Sequence, residues 1–200
     1  MDNLPETEVE LSRLASLLGA SRESDLLLGA AASEEAIKAR NLNNYNIIAF
    51  ATHGMIANEL PGIREPSLLL SVPSATNTKE DGILFASEIA GLKLNADLVI
   101  LSACNTAAGN GKPGAEGLSG LANAFFFAGA RQLVVTHWYI PSAPAVEISV
   151  GLVEARQQDP ALDWPQALRH SLLDLIDNKG EDYNAHPLMW GAHMLVGVPR

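Results

Sequence analysis

Two residues have the types and spacing for nucleophilic chemistry. Cys104, the only cysteine in the chain, stands in "LVILSACNTAAG", where an apolar run gives way to small and polar residues. His53 stands in "NIIAFATHG", also just past an apolar run, fifty-one residues earlier. A thiolate is a strong nucleophile, but a free thiol with a pKa near ~8.5 is mostly protonated at neutral pH. An imidazole can take that proton and return it to a leaving amine. The oxyanion of such a reaction needs preorganised donors, and the backbone amides of Gly54 and Cys104 are suited to the task. Gly54 has no side chain to obstruct a substrate carbonyl.

Each residue also has a plainer reading. Free cysteine is among the most buried residue types, so Cys104 taken alone is a packed core residue. His53 alone is a polar residue closing a strand. The pair changes this, because both follow apolar runs that read as strands. In a parallel sheet, the residues just past the strands emerge at one edge, where ligands bind. Neighbouring strands lie about 4.8 Å apart, close enough for imidazole and thiol to meet. The separation is similar to the roughly 50 residues expected between His and Cys in caspases. His137 could face the same edge as a third member of the site. A His53–Cys104–His137 zinc site is formally possible, but no spacing motif supports it. His186 and His193 read as structural, and His170 as a helix residue. The glycines at 109, 111, 114 and 117 match neither a Walker nor a dinucleotide pattern, and read as a mobile loop beside Cys104.

The elements that must position these residues follow from periodicity. "TEVELSRLASLLG" predicts a helix with Thr7 and Glu10 as a capping box and Gly19 as its stop. "DLLLG" predicts a short strand, and "SEEAIKARNL" a helix with Ser33 as N-cap. "NIIAFATHG", "ADLVILSA" and "RQLVVTHW" predict three buried strands. Residues 55–81 read as an excursion with one or two short strands. "DGILFASEIAGL" predicts a turn at Asp81 and Gly82, a strand fragment, and a short helix capped by Ser87. "LSGLANAFFFAGA" predicts a helix, and two more are expected over 143–157 and 163–176, the second with Pro165 in its first turn. "LMWGAHMLVGV" predicts a last strand. Apolar strands alternating with helices predict a mostly parallel sheet covered on both faces.

The chain has 200 residues, 48% hydrophobic and 18% charged, which suits one globular domain with a sizeable core. A net charge of −10 argues against general binding to nucleic acid or to an anionic membrane. One cysteine cannot form an internal disulfide. The acidic start "MDNLPETEVE" is no secretory signal, and no apolar run approaches membrane-spanning length. A cytoplasmic protein is the expectation.

The segments "FATHG", "DGILFASEIAGLKLNADLVILSACNTAAG", "GAEGLSGLANAFFFAGARQLVVTHW" and "HPLMWGAHMLVG" together resemble the CHAT domain. This is a caspase-like family related to separases and often fused to tetratricopeptide repeats. The likeness runs in family order from "LPETEVE" to "LVGVP". It implies a caspase-like three-layer α/β/α sandwich with a mostly parallel central sheet, in which residues 1–200 form a single domain. The family's usual first strand would precede "LPETEVE", so the resemblance also implies a C-terminal piece of a longer protein. The implied activity is a cysteine endopeptidase without a cofactor, with His53 and Cys104 as its dyad. The implied substrate is a protein or peptide, with regulation by attached domains or a protein partner. A catalytically silent interaction scaffold of the same fold is the alternative, and a non-proteolytic hydrolase or acyltransferase a further one.

The chain departs from the family in "HWYIPSAPAVE", where His137 and the prolines 141 and 144 replace an aliphatic residue and an acidic helix start. Metacaspases carry an acidic residue two positions before the nucleophile, favouring Arg or Lys at the cleaved position. Ser102 stands there in this chain, so that device is missing. The substrate-pocket candidates are Asp81, Ser102, Glu116, His137 and Trp138. Arg64 could equally serve an acidic substrate.

Overall fold

The computed structural model describes residues 5–58, 61–72, 80–102, 120–177 and 185–198. Strands β1 (Ile47–Ala51), β5 (Leu98–Ser102), β6 (Gln132–Thr136) and β7 (His193–Gly197) form one sheet in the order β1-β5-β6-β7. The first three are mutually parallel and β7 runs antiparallel to β6. A second sheet is antiparallel and small: β2 (Gly54–Met55), β3 (Ser67–Leu69) and β4 (Ile83–Phe85).

The apolar runs of β5 and β6 are buried on both faces, as expected of strands inside a parallel sheet. Alternation sends Val99, Leu101, Leu133 and Val135 to one side and Leu98, Ile100 and Val134 to the other. The first side packs against α3 (Ala86–Ala90), α4 (Gly120–Ala128) and the small sheet. The second packs against α1 (Pro5–Leu18), α5 (Ser142–Gln158) and α6 (Trp164–Asp177). The result is a mixed α/β molecule with a mostly parallel sheet between two helical layers, a caspase-like sandwich. Gly129 joins α4 to β6 at a φ of 114°, and a Cβ there would collide with the Leu94 carbonyl. Only glycine suits both demands.

Four local expectations are corrected. The helix α1 begins at Pro5 and already includes Thr7 and Glu10, so the two do not form its capping box. Pro5 favours the first turn because it has no N–H to leave unpaired. "DLLLG" is not a strand: residues 26–28 have no ladder partner among the described residues, and Gly29–Ala31 form a 3-10 turn. A cavity of about 540 Å³ lies between Leu26, Leu27 and Gly29 and the β1 residues Ile48 and Phe50, and a strand needs a neighbour to hydrogen-bond. The third correction concerns α3, which is capped at Phe85, not Ser87: the Glu88 carboxylate accepts from the Phe85 amide at 3.0 Å. Ser87 sits in the first turn and donates to Glu65 instead. Finally, "LMWGAHMLVGV" is split, with the turn of helix α7 (Pro187–Trp190) before β7. Pro187 opens that turn, and His186 Nδ1 accepts from the Leu188 amide at 3.1 Å.

The helix α2 (Glu34–Lys38) is shorter than expected but keeps its cap, Ser33 accepting from the Ala36 amide at 3.3 Å. It locks the Asp81–Gly82 turn through the almost fully buried Glu34, which accepts from the Gly82 amide at 2.7 Å. Burial, and Glu80 beside it, hold the Glu34 carboxyl above the usual carboxylate range. The Lys38 ammonium lies among three carboxylates, 3.2 Å from Glu34, 2.5 Å from Glu80 and 2.6 Å from Glu88. Burial works against its charge, yet these partners hold its pKa above the ordinary lysine value. Lys38→Met should leave a buried carboxylate without its counter-charge and cost about 2 kcal/mol, discounted from a fully buried pair for partial exposure. Urea denaturation at neutral pH checks this, and the loss should shrink in acid as the Glu34 carboxyl, held above the usual range, protonates.

Candidate functional site

The parallel strands β1, β5 and β6 deliver their carboxyl ends to one edge of the sheet. β1 and β5 end flush, with Ala51 paired to Ser102. His53 follows β1 after a single residue, Thr52, and is half-buried. Its position is held by the small sheet. The His53 carbonyl accepts from the Leu69 amide at 2.9 Å, and the Thr52 hydroxyl donates to the Leu69 carbonyl. Gly54 then enters β2 opposite Leu68. The imidazole is therefore carried on a short segment pinned on both sides. Cys104, Glu116 and the glycine loop at 109–117 lie outside the described residues.

A second feature lies at the same edge. Thr52, Ser102 and Thr136, from the ends of the three parallel strands, line a small cavity of about 60 Å³. Trp138 and Ser142 close it from beyond β6, and Glu10 enters from α1. Glu10 is 2% exposed, and its Oε1 has no hydrogen-bond partner among the described residues. Burial pushes its pKa up, while the nearby hydroxyls of Ser149 and Ser102 act the other way. Periodicity could have exposed this residue. Glu10 is four residues before the core residue Leu14, so an acidic side chain occupies the apolar stripe of α1.

The structure thus brings Ser102 and Trp138 together and sets Asp81 and His137 apart from them. Trp138 Nε1 donates to the Leu188 carbonyl at 2.9 Å, which fixes the indole against the α7 turn. The ring of His137 instead turns to β7, with Nε2 against Met194 Sδ. Asp81 is exposed and serves its own turn, accepting from the Ile83 amide at 2.9 Å. Arg64 is also exposed, and neither residue lines the cavity. His170 is exposed and His186 caps α7, in keeping with their structural readings.

His193, paired with Thr136 across β6 and β7, has its Nδ1 closed off from solvent without a hydrogen-bond partner among the described residues. Burial pushes its pKa down to about 4. Below about pH 6.5 the unfolded chain binds a proton at this residue that the folded protein does not. Stability should therefore fall as pH drops from about 6.5 to about 4, by up to about 3 kcal/mol from this residue. Denaturation midpoints of the wild type and His193→Gln across that window measure it. The variant should lose this part of the slope, leaving the contribution of the carboxylates.

No helix among the described residues is long and apolar enough to cross a membrane. The family model for the CHAT domain matches residues 1–198, essentially the whole chain. No curated protein gave a match.

Proposed function

The chain belongs to the CHAT domain family, which is related to the caspase-like peptidases, and from that premise we propose that it is a cysteine endopeptidase using His53 and Cys104. What supports the reading is register. β1 and β5 pair with an offset that sets Ala51 against Ser102, and the same offset in sequence separates His53 from Cys104. A dyad built on two adjacent parallel strands needs that equality.

In the proposed reaction the Cys104 Sγ–H proton passes to the His53 imidazole as sulfur attacks the scissile carbonyl carbon. The Gly54 and Cys104 amides hold the resulting oxyanion. Collapse breaks the C–N bond, and the imidazolium gives its proton to the departing amine. Water then attacks the thioester, losing a proton to His53, and the acid product leaves as the thiol is restored. No step requires a cofactor.

The test is cleavage of a mixed peptide library by the wild type and Cys104→Ala, read by mass spectrometry. Defined products from the wild type alone support the peptidase. If neither protein cuts and both bind the same partner protein, the scaffold reading replaces it.

A further inference from the structure

We propose that Glu10 selects the substrate: its carboxylate receives a basic side chain, Arg or Lys, from the residue whose carbonyl is attacked. This rests on the peptidase reading and names the substrate class of that same site. Three observations carry it.

The first is an unmet need. A buried acceptor without a partner is uncommon in folded proteins and costs about 1–3 kcal/mol. Glu10 is 2% exposed, and although the Ser149 and Ser102 hydroxyls act on its carboxylate, Oε1 is such an acceptor, unpartnered among the described residues. The second is the absence of a counter-charge. Among the described residues, no Lys, Arg or His lines the cavity that Glu10 enters. The closest arginine in sequence along α1, Arg13, is engaged with Glu147 at 2.6 Å and Glu154 at 3.7 Å. A guanidinium or ammonium arriving from outside would supply both the donor and the charge.

The third is place. The cavity is built at the carboxyl ends of β1, β5 and β6, and one of its walls is Ser102, two positions before Cys104 in the chain. The helix α1 packs through Leu14 against the sheet face formed by Leu98 and Ile100, and Glu10, one turn earlier, reaches Ser102 at the end of β5 from that face. Its other neighbours offer contacts to the charged head and stem of a basic side chain. The Ser102, Thr136 and Ser142 hydroxyls can share its N–H donors, and the Trp138 ring offers a flat surface to a cationic stem.

The test uses the full chain and a peptide series that varies only the residue before the scissile bond, among Arg, Lys, Gln, norleucine and Asp. The wild type should cut the Arg and Lys peptides with kcat/KM about 100-fold above the neutral ones, and Asp worst. Glu10→Gln should collapse that preference, so that Arg, Gln and norleucine peptides are cut at similar rates. Thermal unfolding confirms that the variant folds. Agmatine, an alkylguanidinium, gives a readout independent of catalysis. It should raise the melting temperature of the wild type and leave Glu10→Gln unmoved.

Neutral peptides cut as well as basic ones, or a basic preference that survives Glu10→Gln, would overturn the proposal. If nothing is cut but agmatine stabilises only the wild type, the cation pocket stands and the peptidase reading falls. If nothing is cut and agmatine shifts neither protein, both fall.

Discussion

Cys104→Ala should abolish peptide cleavage, and His53→Ala should slow it by three orders of magnitude or more. The size follows from the roles, since groups acting as one unit fail together when either is lost. The dyad can also be read without a substrate, from the rate of iodoacetamide alkylation of Cys104 against pH. In the wild type the apparent thiol pKa should lie well below ~8.5, because a neighbouring imidazole favours the thiolate. In His53→Ala it should return toward ~8.5, and the thiolate fraction at neutral pH should fall by roughly tenfold for each unit by which the pKa then exceeds that pH. Cys104 is the chain's only cysteine, so every alkylated product reports on it. An ordinary thiol pKa that is the same in both proteins would remove the dyad and leave a caspase-like scaffold.

Phe125→Ala should be the most damaging single truncation in the core, at about 3–5 kcal/mol. Phe125 is fully buried on α4, beneath the face of the sheet that carries Val99 and Leu101. Its ring meets Phe50 of β1 with centroids 5.4 Å apart and planes tilted by 52°, a favourable aromatic geometry. Truncation removes that contact and opens a cavity between the element that holds His53 and the helix behind it. Phe127, two residues along the same helix, is 84% exposed, and Phe127→Ala should change stability by less than about 0.5 kcal/mol. Urea denaturation of both variants gives the comparison. Equal losses would mean that α4 is packed differently from this account.

The contrast between those phenylalanines shows how far pattern reading extends. "AFFFA" is apolar at every position, so periodicity alone does not say which ring enters the core. The strands behave differently. "LVILS" and "QLVVT" are buried on both faces, and a continuous β-branched and leucine-rich run can hardly lie elsewhere. The positions of His53 and Ser102 at strand ends follow directly, because the apolar runs stop there. "DLLLG" has a similar composition but forms no strand, since among the described residues it has no neighbour to pair with. A strand is a property of two segments, and its sequence describes one.

Glu10 was misread for a related reason. The spacing of Thr7 and Glu10 is that of a capping box, a motif defined within four residues. Its actual surroundings, Ser102, Ser149 and Thr136, come from β5, α5 and β6, far away in the chain. His193 is a like case, its burial fixed by the antiparallel return of β7 onto β6. Local sequence was enough to place the strands β1, β5 and β6 and to set His53 and Ser102 at or just past their ends, because continuous apolar runs and their breaks are encoded locally. Only the tertiary structure decided which polar groups share a cavity. That depends on strand register and helix packing, which bring a carboxylate from residue 10 to the end of a strand at residue 102.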